Sequence, residues 1–142
     1  MKFRERTSVV CIASIQGEDH LLCFKAVDPT SGQPYYFLPG GALETGETKE
    51  AGAQRETLEE TGYAVQVRPA SLLSARYPFH WNGDDYDSLT HFFRGDLTEP
   101  WRPPGSVQDA DYNKGPLWIP VHRIPELFSY KKEIQEAILK LI

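Results

Sequence analysis

The sequence predicts an α/β domain in which helices cover a mixed β-sheet. Short runs rich in β-branched and aromatic residues, separated by turn residues, are typical of strands. Two longer segments predict helices, one because of its capping residues and one because of its apolar stripe. The chain has 142 residues and neither a repeat nor a low-complexity linker, so we expect one domain over residues 1–142 with a single core.

The first third of the chain predicts a hairpin and a third strand. Residues 7–15, TSVVCIASI, are rich in β-branched residues and predict a strand, and residues 16–19 supply a turn. Residues 20–26 predict the second strand of the hairpin. A polar loop at residues 28–32 then leads to a short strand at residues 35–38, which runs into a Pro-Gly-Gly turn.

A helix is expected at residues 49–61. Thr48 is a good N-cap, and Gly62 stands where a left-handed residue ends a helix. Ala51 and Leu58, seven positions apart, are expected to face the core. Gly52 costs helix stability, so its presence in the helix suggests a need for space.

Strands and loops alternate after this helix. Residues 64–77 predict one or two strands with Pro69 at a bulge or bend. Residues 81–87, WNGDDYD, predict a hairpin loop before a strand at residues 88–97. The remaining short elements are loops at residues 99–105 and 109–115 and a strand at residues 117–119.

Helical segments end the chain. Residues 124–128 are expected to begin a helix after Pro125, and residues 131–142 are expected to form the last helix. The apolar side chains of this last helix follow an i, i+4, i+7 pattern that is typical of a core-facing stripe: Ile134, Ile138 and Leu141.

Three carboxylates group on one arc of the helix at residues 49–61. Glu59 and Glu60 follow Glu56 by three and four positions. Like charges at this spacing destabilise an isolated helix by roughly 0.2–0.5 kcal/mol per pair. A solvated acidic face is one interpretation, and the other is a site for Mg²⁺ or Mn²⁺, which prefer oxygen ligands. Arg55 can hold one glutamate by a bidentate pair, and Glu47 can reach the same place.

Composition restricts the class of protein. The 40% apolar and 25% charged residues describe an ordinary globular domain. A net charge of −5 without a basic run disfavours broad nucleic-acid binding, so we expect no nucleic-acid partner. Cys11 and Cys23 form no CxxC motif and are expected to be buried free thiols. We also expect no membrane span and no secretion signal, and therefore a cytoplasmic protein.

Candidate substrate contacts lie outside the helix. Lys25 can reach a phosphate from the end of the second strand, although a solvated lysine is equally consistent with its position. Tyr36 and its two aromatic neighbours precede the Gly turn, so alternate rings can stack on a base or fill the core. Asp111, with Asp109 behind it, is the candidate late-loop acid, and surface solvation is its alternative role.

The segment from Gly41 to Tyr63 resembles the box that defines the Nudix hydrolase family. It carries Gly, five residues, Glu, seven residues, Arg-Glu, two residues, Glu-Glu, one residue and Gly, as the box requires. Thr57 stands where a larger aliphatic residue is usual. This departure weakens core contact rather than chemistry.

The resemblance implies an α/β/α sandwich with a mixed β-sheet and a hydrolase that uses Mg²⁺ or Mn²⁺. It implies cleavage of a phosphoanhydride bond in a nucleoside diphosphate linked to another moiety. The implied metal ligands are Glu56, Glu59, Glu60 and the Gly40 carbonyl, with the general base either one of these glutamates or the late-loop acid. Arg55 and Glu47 are implied to hold the loop and orient a metal-binding glutamate.

Narrower and rival functions stay open at this point. The narrower hypothesis of an ADP-ribose-type pyrophosphatase is based on Pro78, which stands 15 residues after Tyr63. A rival hypothesis from another class is a catalytically silent module that senses a nucleotide. A third is the processing of RNA 5′ ends, which would require a more basic surface than this composition indicates. The expected partner is a small-molecule nucleotide, and a homodimer is one of the assemblies that the resemblance implies.

Overall fold

A computed structural model describes all residues of the chain, 1–142. It contains eight strands and three helices. The strands are β1 (Lys2–Ile15), β2 (Glu18–Val27), β3 (Pro34–Phe37), β4 (Gly40–Ala42), β5 (Val65–Val67), β6 (Leu73–Trp81), β7 (Asp84–Leu97) and β8 (Asn113–Pro120). The helices are α1 (Lys49–Thr61), α2 (Ile124–Leu127) and α3 (Lys132–Leu141).

Strand β1 is the centre of a mixed sheet. Its first ten paired residues run parallel to β7, from Lys2 opposite Tyr86 to Cys11 opposite Gly95. Its last residues pair antiparallel with β2, and β4 pairs antiparallel with its middle. The order of the main path is β3-β2-β1-β7-β5, with β6 beside β7 and β8 beside β2. The predicted mixed α/β architecture is therefore confirmed.

Alternate residues of β1 pack into separate cores on the two faces of the sheet. Val9 belongs to a cluster with Ala53 of α1, while Val10 belongs to a cluster with Ile138 of α3. Because successive strand residues point to opposite faces, one helix covers each face and the whole forms a sandwich. Ile134 and Leu141 pack against the second cluster, which confirms the predicted apolar stripe of the last helix.

Helix α1 has the predicted bounds but a different buried face. Ala51 and Leu58 are exposed, and Leu58 keeps 52% of its surface in solvent, so their predicted core contact is wrong. The side chains that point inward are Ala53, Thr57, Glu60 and Thr61. Packing against the sheet buries the arc of α1 that carries Glu60. A hydrophobicity pattern would instead place this glutamate in solvent.

Three further strand predictions need correction. The expected loop at residues 81–87 is a turn of Asn82 and Gly83 only, both at positive φ, and the flanking residues belong to β6 and β7. Asn-Gly is the preferred pair for such a tight hairpin turn. Strand β8 begins at Asn113, inside the predicted loop at 109–115, and the short strand β4 was not expected.

The prediction for the two cysteines is confirmed. Cys11 and Cys23 are buried and free, and burial raises the pKa of the Cys11 thiol to about 12. No helix combines the length and apolar character that crossing a membrane requires.

Candidate active site

Capping residues fix where helix α1 begins and ends. The Thr48 hydroxyl accepts a hydrogen bond from the Ala51 N–H at 3.1 Å, as an N-cap does. At the other end, Gly62 adopts a φ of 77° and donates its N–H to the Leu58 carbonyl. These two residues therefore set the length of α1, while its packing against the sheet sets the directions of its glutamates.

Arg55 connects the loop before α1 to the helix itself. Its Nε donates to Glu47 Oε2 at 2.7 Å and its Nη2 to Glu47 Oε1 at 3.0 Å, which is a bidentate pair. Its Nη1 donates to Glu56 at 3.0 Å and lies 3.2 Å from Glu59 Oε2. Arg55 and the Glu44 N–H together lower the pKa of Glu47 to about 2. Glu47 therefore stays ionised and keeps Arg55 beside Glu56.

Glu60 is a buried carboxylate on the inner face of α1. Only 3% of its surface is exposed, and burial raises its pKa well above the ordinary value for a glutamate. The Gly40 N–H donates to Glu60 Oε1 at 2.7 Å, which favours the ionised form and opposes that rise. Glu60 has no salt-bridge partner within 4 Å.

Glu56 lies one turn earlier on the same side of α1. Burial raises its pKa, while the hydrogen bond from Arg55 opposes the rise. Arg6, on β1, lowers the pKa of Glu56 and of Glu60 by its charge. Glu56 and Glu60 both line one cavity, so two carboxylates that resist ionisation face the same space.

Two adjacent glycines let the backbone approach these carboxylates. A Cβ on Gly40 would lie 1.9 Å from the Thr7 carbonyl oxygen of β1. A Cβ on Gly41 would lie 2.6 Å from Cδ of Glu56. Both positions line the cavity, and any side chain there would displace either the strand pairing or the glutamate. Gly52 is equally confined, because Leu43 and Glu47 lie against it rather than open space.

Glu59 does not lie with the other two carboxylates. Its side chain is 49% exposed, its hydrogen bonds are to Arg55, and it does not line the cavity. The predicted arc of three is therefore divided in this structure into an inner pair and an outer member. No three His, Cys, Asp or Glu side chains are grouped closely enough to hold one ion.

The inner pair nevertheless fits a hard divalent cation. Mg²⁺ is usually bound by one or two protein carboxylates, with waters and substrate phosphates completing its shell. Glu56 and Glu60 supply oxygen donors, face one cavity and lack enough cations of their own, since Arg55 reaches only one of them. The donor chemistry of these residues matches that requirement.

The cavity extends from these carboxylates between the two parts of the sheet. It has a volume of about 280 Å³. Seven of the 17 residues in its wall are aromatic: Phe24, Phe37, Tyr77, Phe79, Trp81, Tyr112 and Tyr130. Phe37 packs edge-on against Trp81 at 5.2 Å, and Trp81 against Tyr112 at 5.4 Å. Such rings offer flat apolar faces to an aromatic ligand.

Two arginines of β1 add positive charge to this cavity. Arg4 and Arg6 both line it and neither forms a salt bridge. They follow each other at a spacing of two along β1, so they point to the same face of the strand. Neither was identified from the sequence, although the alternation in FRERTS at residues 3–8 signals two guanidinium groups on one face.

The three predicted substrate contacts lie away from the cavity wall. Lys25 is exposed, and Asp111 is exposed with its carbonyl accepting a hydrogen bond from Lys114. Tyr36 packs against the core, and its carbonyl accepts the Tyr130 hydroxyl at 2.8 Å. The next ring, Phe37, takes the place expected of Tyr36 because strand residues alternate in direction. Asp109 is also outside the wall and accepts a hydrogen bond from Asn113.

Comparison with known proteins agrees with this architecture. A family model described as the NUDIX domain matches residues 4–141. An uncharacterized Nudix hydrolase of Schizosaccharomyces pombe is 31% identical over 132 residues, covering 91% of this chain and 62% of that protein. A Danio rerio protein named oxidized purine nucleoside triphosphate hydrolase is 33% identical over 86 residues, covering 61% of this chain and 49% of that protein. The chain thus spans less than two thirds of the length of these relatives.

A solved structure shows the same fold at low sequence identity. The crystal structure of a Caenorhabditis elegans Ap4A hydrolase binary complex superposes with a TM-score of 0.73 at 17% identity. The match covers 96% of this chain and 93% of that one. The family model spans nearly the whole chain, including the glycine turn and helix α1 with its carboxylates, and this chain belongs to the NUDIX domain family.

Proposed function

We propose that the protein is a Mg²⁺-dependent pyrophosphohydrolase that cleaves a phosphoanhydride bond in a nucleotide. The observation that carries this proposal is the inner carboxylate pair, Glu56 and Glu60, which faces an aromatic cavity beside Arg6. Hydrolysis of a nucleotide needs three things from a site: neutralisation of the phosphates, a base that accepts a proton from the attacking water, and a surface for the nucleobase. The cavity offers residues suited to each.

Glu56, Glu60 and the carbonyl of Gly40 are the residues that would hold the ion, with Mn²⁺ as an alternative to Mg²⁺. Glu59 would join them if it exchanged its contact with Arg55 for the ion. When bound, such an ion spreads the negative charge of phosphate oxygens and lowers the pKa of a bound water.

The chain's own residues prepare this chemistry. Arg55, held by Glu47, donates a hydrogen bond to Glu56 and so positions it at the cavity. Arg6 is placed to pair with a phosphate, because it lies beside both carboxylates and has no acid partner of its own. A carboxylate of the cavity is needed to accept the proton of the attacking water, and Glu56 and Glu60 are the two carboxylates that line it.

The aromatic wall and the relatives support a nucleotide rather than a simple phosphate ester. Phe37, Phe79 and Trp81 offer ring faces, and base–aromatic stacking is worth about 1–3 kcal/mol per base. The Danio rerio relative is named for purine nucleoside triphosphates, and the Caenorhabditis elegans structure for Ap4A. Both names describe nucleotides with phosphoanhydride bonds.

The test is a screen of nucleoside triphosphates, dinucleoside polyphosphates and nucleotide sugars, with Mg²⁺, with Mn²⁺ and with EDTA, scoring the released products. We expect hydrolysis that EDTA abolishes. Glu56→Gln and Glu60→Gln should each lower kcat/KM by at least about 100-fold, since each removes a charge at the reacting phosphate. Glu136→Gln, on the exposed side of α3, is the matched control and should retain wild-type turnover.

Folding of the variants must be checked separately. The glutamine oxygen in Glu60→Gln can still accept the Gly40 N–H, so we expect a melting temperature close to the wild type or higher. Wild-type turnover in both glutamine variants would contradict the proposal. Tight nucleotide binding without product release across the whole panel would instead indicate a nucleotide-sensing module.

A further inference from the structure

The guanidinium group of Arg4 is held in place by contacts that include no carboxylate. Its Cζ lies 4.2 Å from the ring centroid of Tyr86 and 5.9 Å from that of Phe79. Its Nε donates to the hydroxyl of the buried Ser88 at 2.9 Å. The hydrogen bonds of Arg4 involve Nε alone, so both Nη groups keep their N–H donors free on a side chain that two rings and a hydroxyl hold still.

The position of Arg4 separates it from the carboxylates. Ser8, Arg6 and Arg4 line the cavity in sequence along one face of β1, and β4 places Gly40 opposite Ser8 and Ala42 opposite Arg6. Glu60 accepts a hydrogen bond from the Gly40 N–H, and Gly40 lies opposite Ser8. Arg6 is therefore nearer to this carboxylate along β1 than Arg4 is. Two strand residues span roughly 7 Å, which puts Arg4 well beyond the phosphate position assigned to Arg6.

The surroundings of Arg4 suit a base better than a phosphate. Phe79 is its cavity neighbour, and Phe37, at 6.1 Å from Phe79, extends the aromatic surface. No carboxylate lies within 4 Å of the Arg4 guanidinium, and burial and the charge of Arg6 lower its pKa to about 10. Among the polar side chains of this end, the Tyr77 hydroxyl is already bonded to Thr90 and the Tyr130 hydroxyl to Tyr36. The Trp81 indole N–H and the Tyr112 hydroxyl also line the cavity without a hydrogen-bond partner, and Arg4 adds the free Nη donors of a planar fork beside Phe79.

We propose, building on the nucleotide substrate of the proposed function, that Arg4 is the specificity residue of this site and selects a base with a hydrogen-bond-accepting edge, guanine above all. A guanidinium has donors and no acceptor. Guanine presents O6 and N7 as two neighbouring acceptors that match a bidentate arginine. Adenine places its N6 amino group, a donor, at the corresponding position, so a donor would face a donor.

Binding of nucleoside monophosphates tests this recognition without any hydrolysis. Calorimetric titration should give a tighter Kd for guanosine 5′-monophosphate than for adenosine 5′-monophosphate. A bidentate arginine–guanine pair predicts a ratio of about 5- to 150-fold. Guanosine and pyrophosphate, titrated separately, distinguish a base edge from a phosphate as the group that Arg4 binds.

Substitutions at Arg4 and Arg6 give matched tests. Arg4→Gln should reduce the preference for guanine by at least about tenfold and move it toward adenine, because glutamine pairs with adenine N6 and N7. Arg4→Lys keeps the charge but loses the planar fork, so its preference should fall between those two. Arg6→Gln should weaken both monophosphates alike and leave their ratio unchanged.

Each outcome has a definite meaning. A wild type that binds both monophosphates equally overturns the inference, even if no variant folds. So does an Arg4→Gln variant that loses pyrophosphate binding while keeping the wild-type preference between guanosine and adenosine. If the protein hydrolyses nucleotides without distinguishing the bases, only this inference fails. If it binds guanine selectively but hydrolyses nothing, only the proposed hydrolysis fails.

Discussion

Single atoms of the backbone matter at the glycine turn because the carboxylates lie directly against it. Gly40 donates to Glu60, while Gly41 lies beside the Glu56 carboxylate. Because Gly40 and Gly41 have no side chains, both glutamates can lie directly against the backbone at these two positions. The family motif includes Gly41, and the resemblance implies the Gly40 carbonyl as a metal ligand, but the contacts of these glycines with residues 15 or more positions later are seen only in the fold.

At this scale we predict that Gly41→Ala lowers activity more than stability. The new Cβ would lie 2.6 Å from Cδ of Glu56, and the flexible glutamate can move away at little cost in folding free energy. A displaced carboxylate should reduce kcat/KM by about 10- to 100-fold, the range expected for a misplacement near 1 Å. Steady-state kinetics and thermal melting on the same preparation measure the two effects.

Gly105→Ala is the control for that substitution. Its Cβ would meet nothing within 4 Å, so both activity and melting temperature should be unchanged. Equal activity in Gly41→Ala and Gly105→Ala would mean that Glu56 tolerates displacement, and the importance of its position would have to be abandoned.

Helix α1 illustrates, at the scale of one element, how polar residues can form a buried face. Thr57 is fully buried and donates its hydroxyl to the Ala53 carbonyl at 2.8 Å, and Thr61 does the same with Thr57 at 2.6 Å. Each hydroxyl donates its hydrogen bond to a carbonyl of the same helix, so its burial costs little free energy. The threonine at the position where an aliphatic residue is usual therefore packs in the core without an unpaired donor.

The N-cap of α1 gives a prediction for this element. Thr48→Ala removes the acceptor for the Ala51 N–H and should lower the free energy of unfolding by about 1 kcal/mol, within a range of about 0.5–2. Urea unfolding at equilibrium measures the change. Thr45→Ala, in the exposed loop just before, should leave the unfolding midpoint where it is. An equal loss in both variants would show that the cap itself contributes nothing.

Distant loops are tied together at the scale of the whole molecule. Asp28, after β2, accepts N–H bonds from Thr30 and Ser31 in its own loop and from Asn82 in the β6–β7 turn. The Thr30 hydroxyl also bonds Asn82 at 2.6 Å. This connection holds the β6–β7 hairpin, which carries Phe79 and Trp81, over the end of the cavity.

The buried carboxylate of Asp28 predicts a pH dependence of stability. Burial pushes its pKa upward, but the three backbone N–H donors outweigh burial and leave the pKa below its ordinary value. A carboxylate with a depressed pKa stabilises the fold above its ordinary pKa and loses that contribution as the pH falls through the depressed value. Melting curves should therefore show wild type and Asp28→Asn converging as the pH drops below about 4.

Above that pH, Asp28→Asn should melt at a lower temperature than the wild type. The asparagine amide has one oxygen for three donors, so at least one N–H loses its partner. Asp111→Asn, at an exposed site, is the control and should track the wild type at every pH. A gap between Asp28→Asn and wild type that widens in acid would contradict the assignment.

Local signals were enough for several predictions. Thr48 and Gly62 bounded α1 correctly because capping depends on residues within one turn. Cys11 and Cys23 were expected to be buried because each lies in an apolar run. By contrast, the polar character of residues 84–87 predicts a loop. They extend β7 because their backbone pairs antiparallel with β6, from Asp84 opposite Trp81 to Asp87 opposite Pro78.

Spacing along the chain is enough to predict the family motif, the bounds of its helix and the mixed α/β class. Which glutamates face inward follows from the fold alone. The same is true of the cavity wall, which contains Arg4, Arg6 and Phe37 and leaves out Lys25, Tyr36 and Asp111. The reason is physical: the direction of a side chain is set by the pairing of β1 with β4 and β7 and by the rotation of α1 against the sheet. Those contacts join residues that are far apart in the chain, so no local pattern records them.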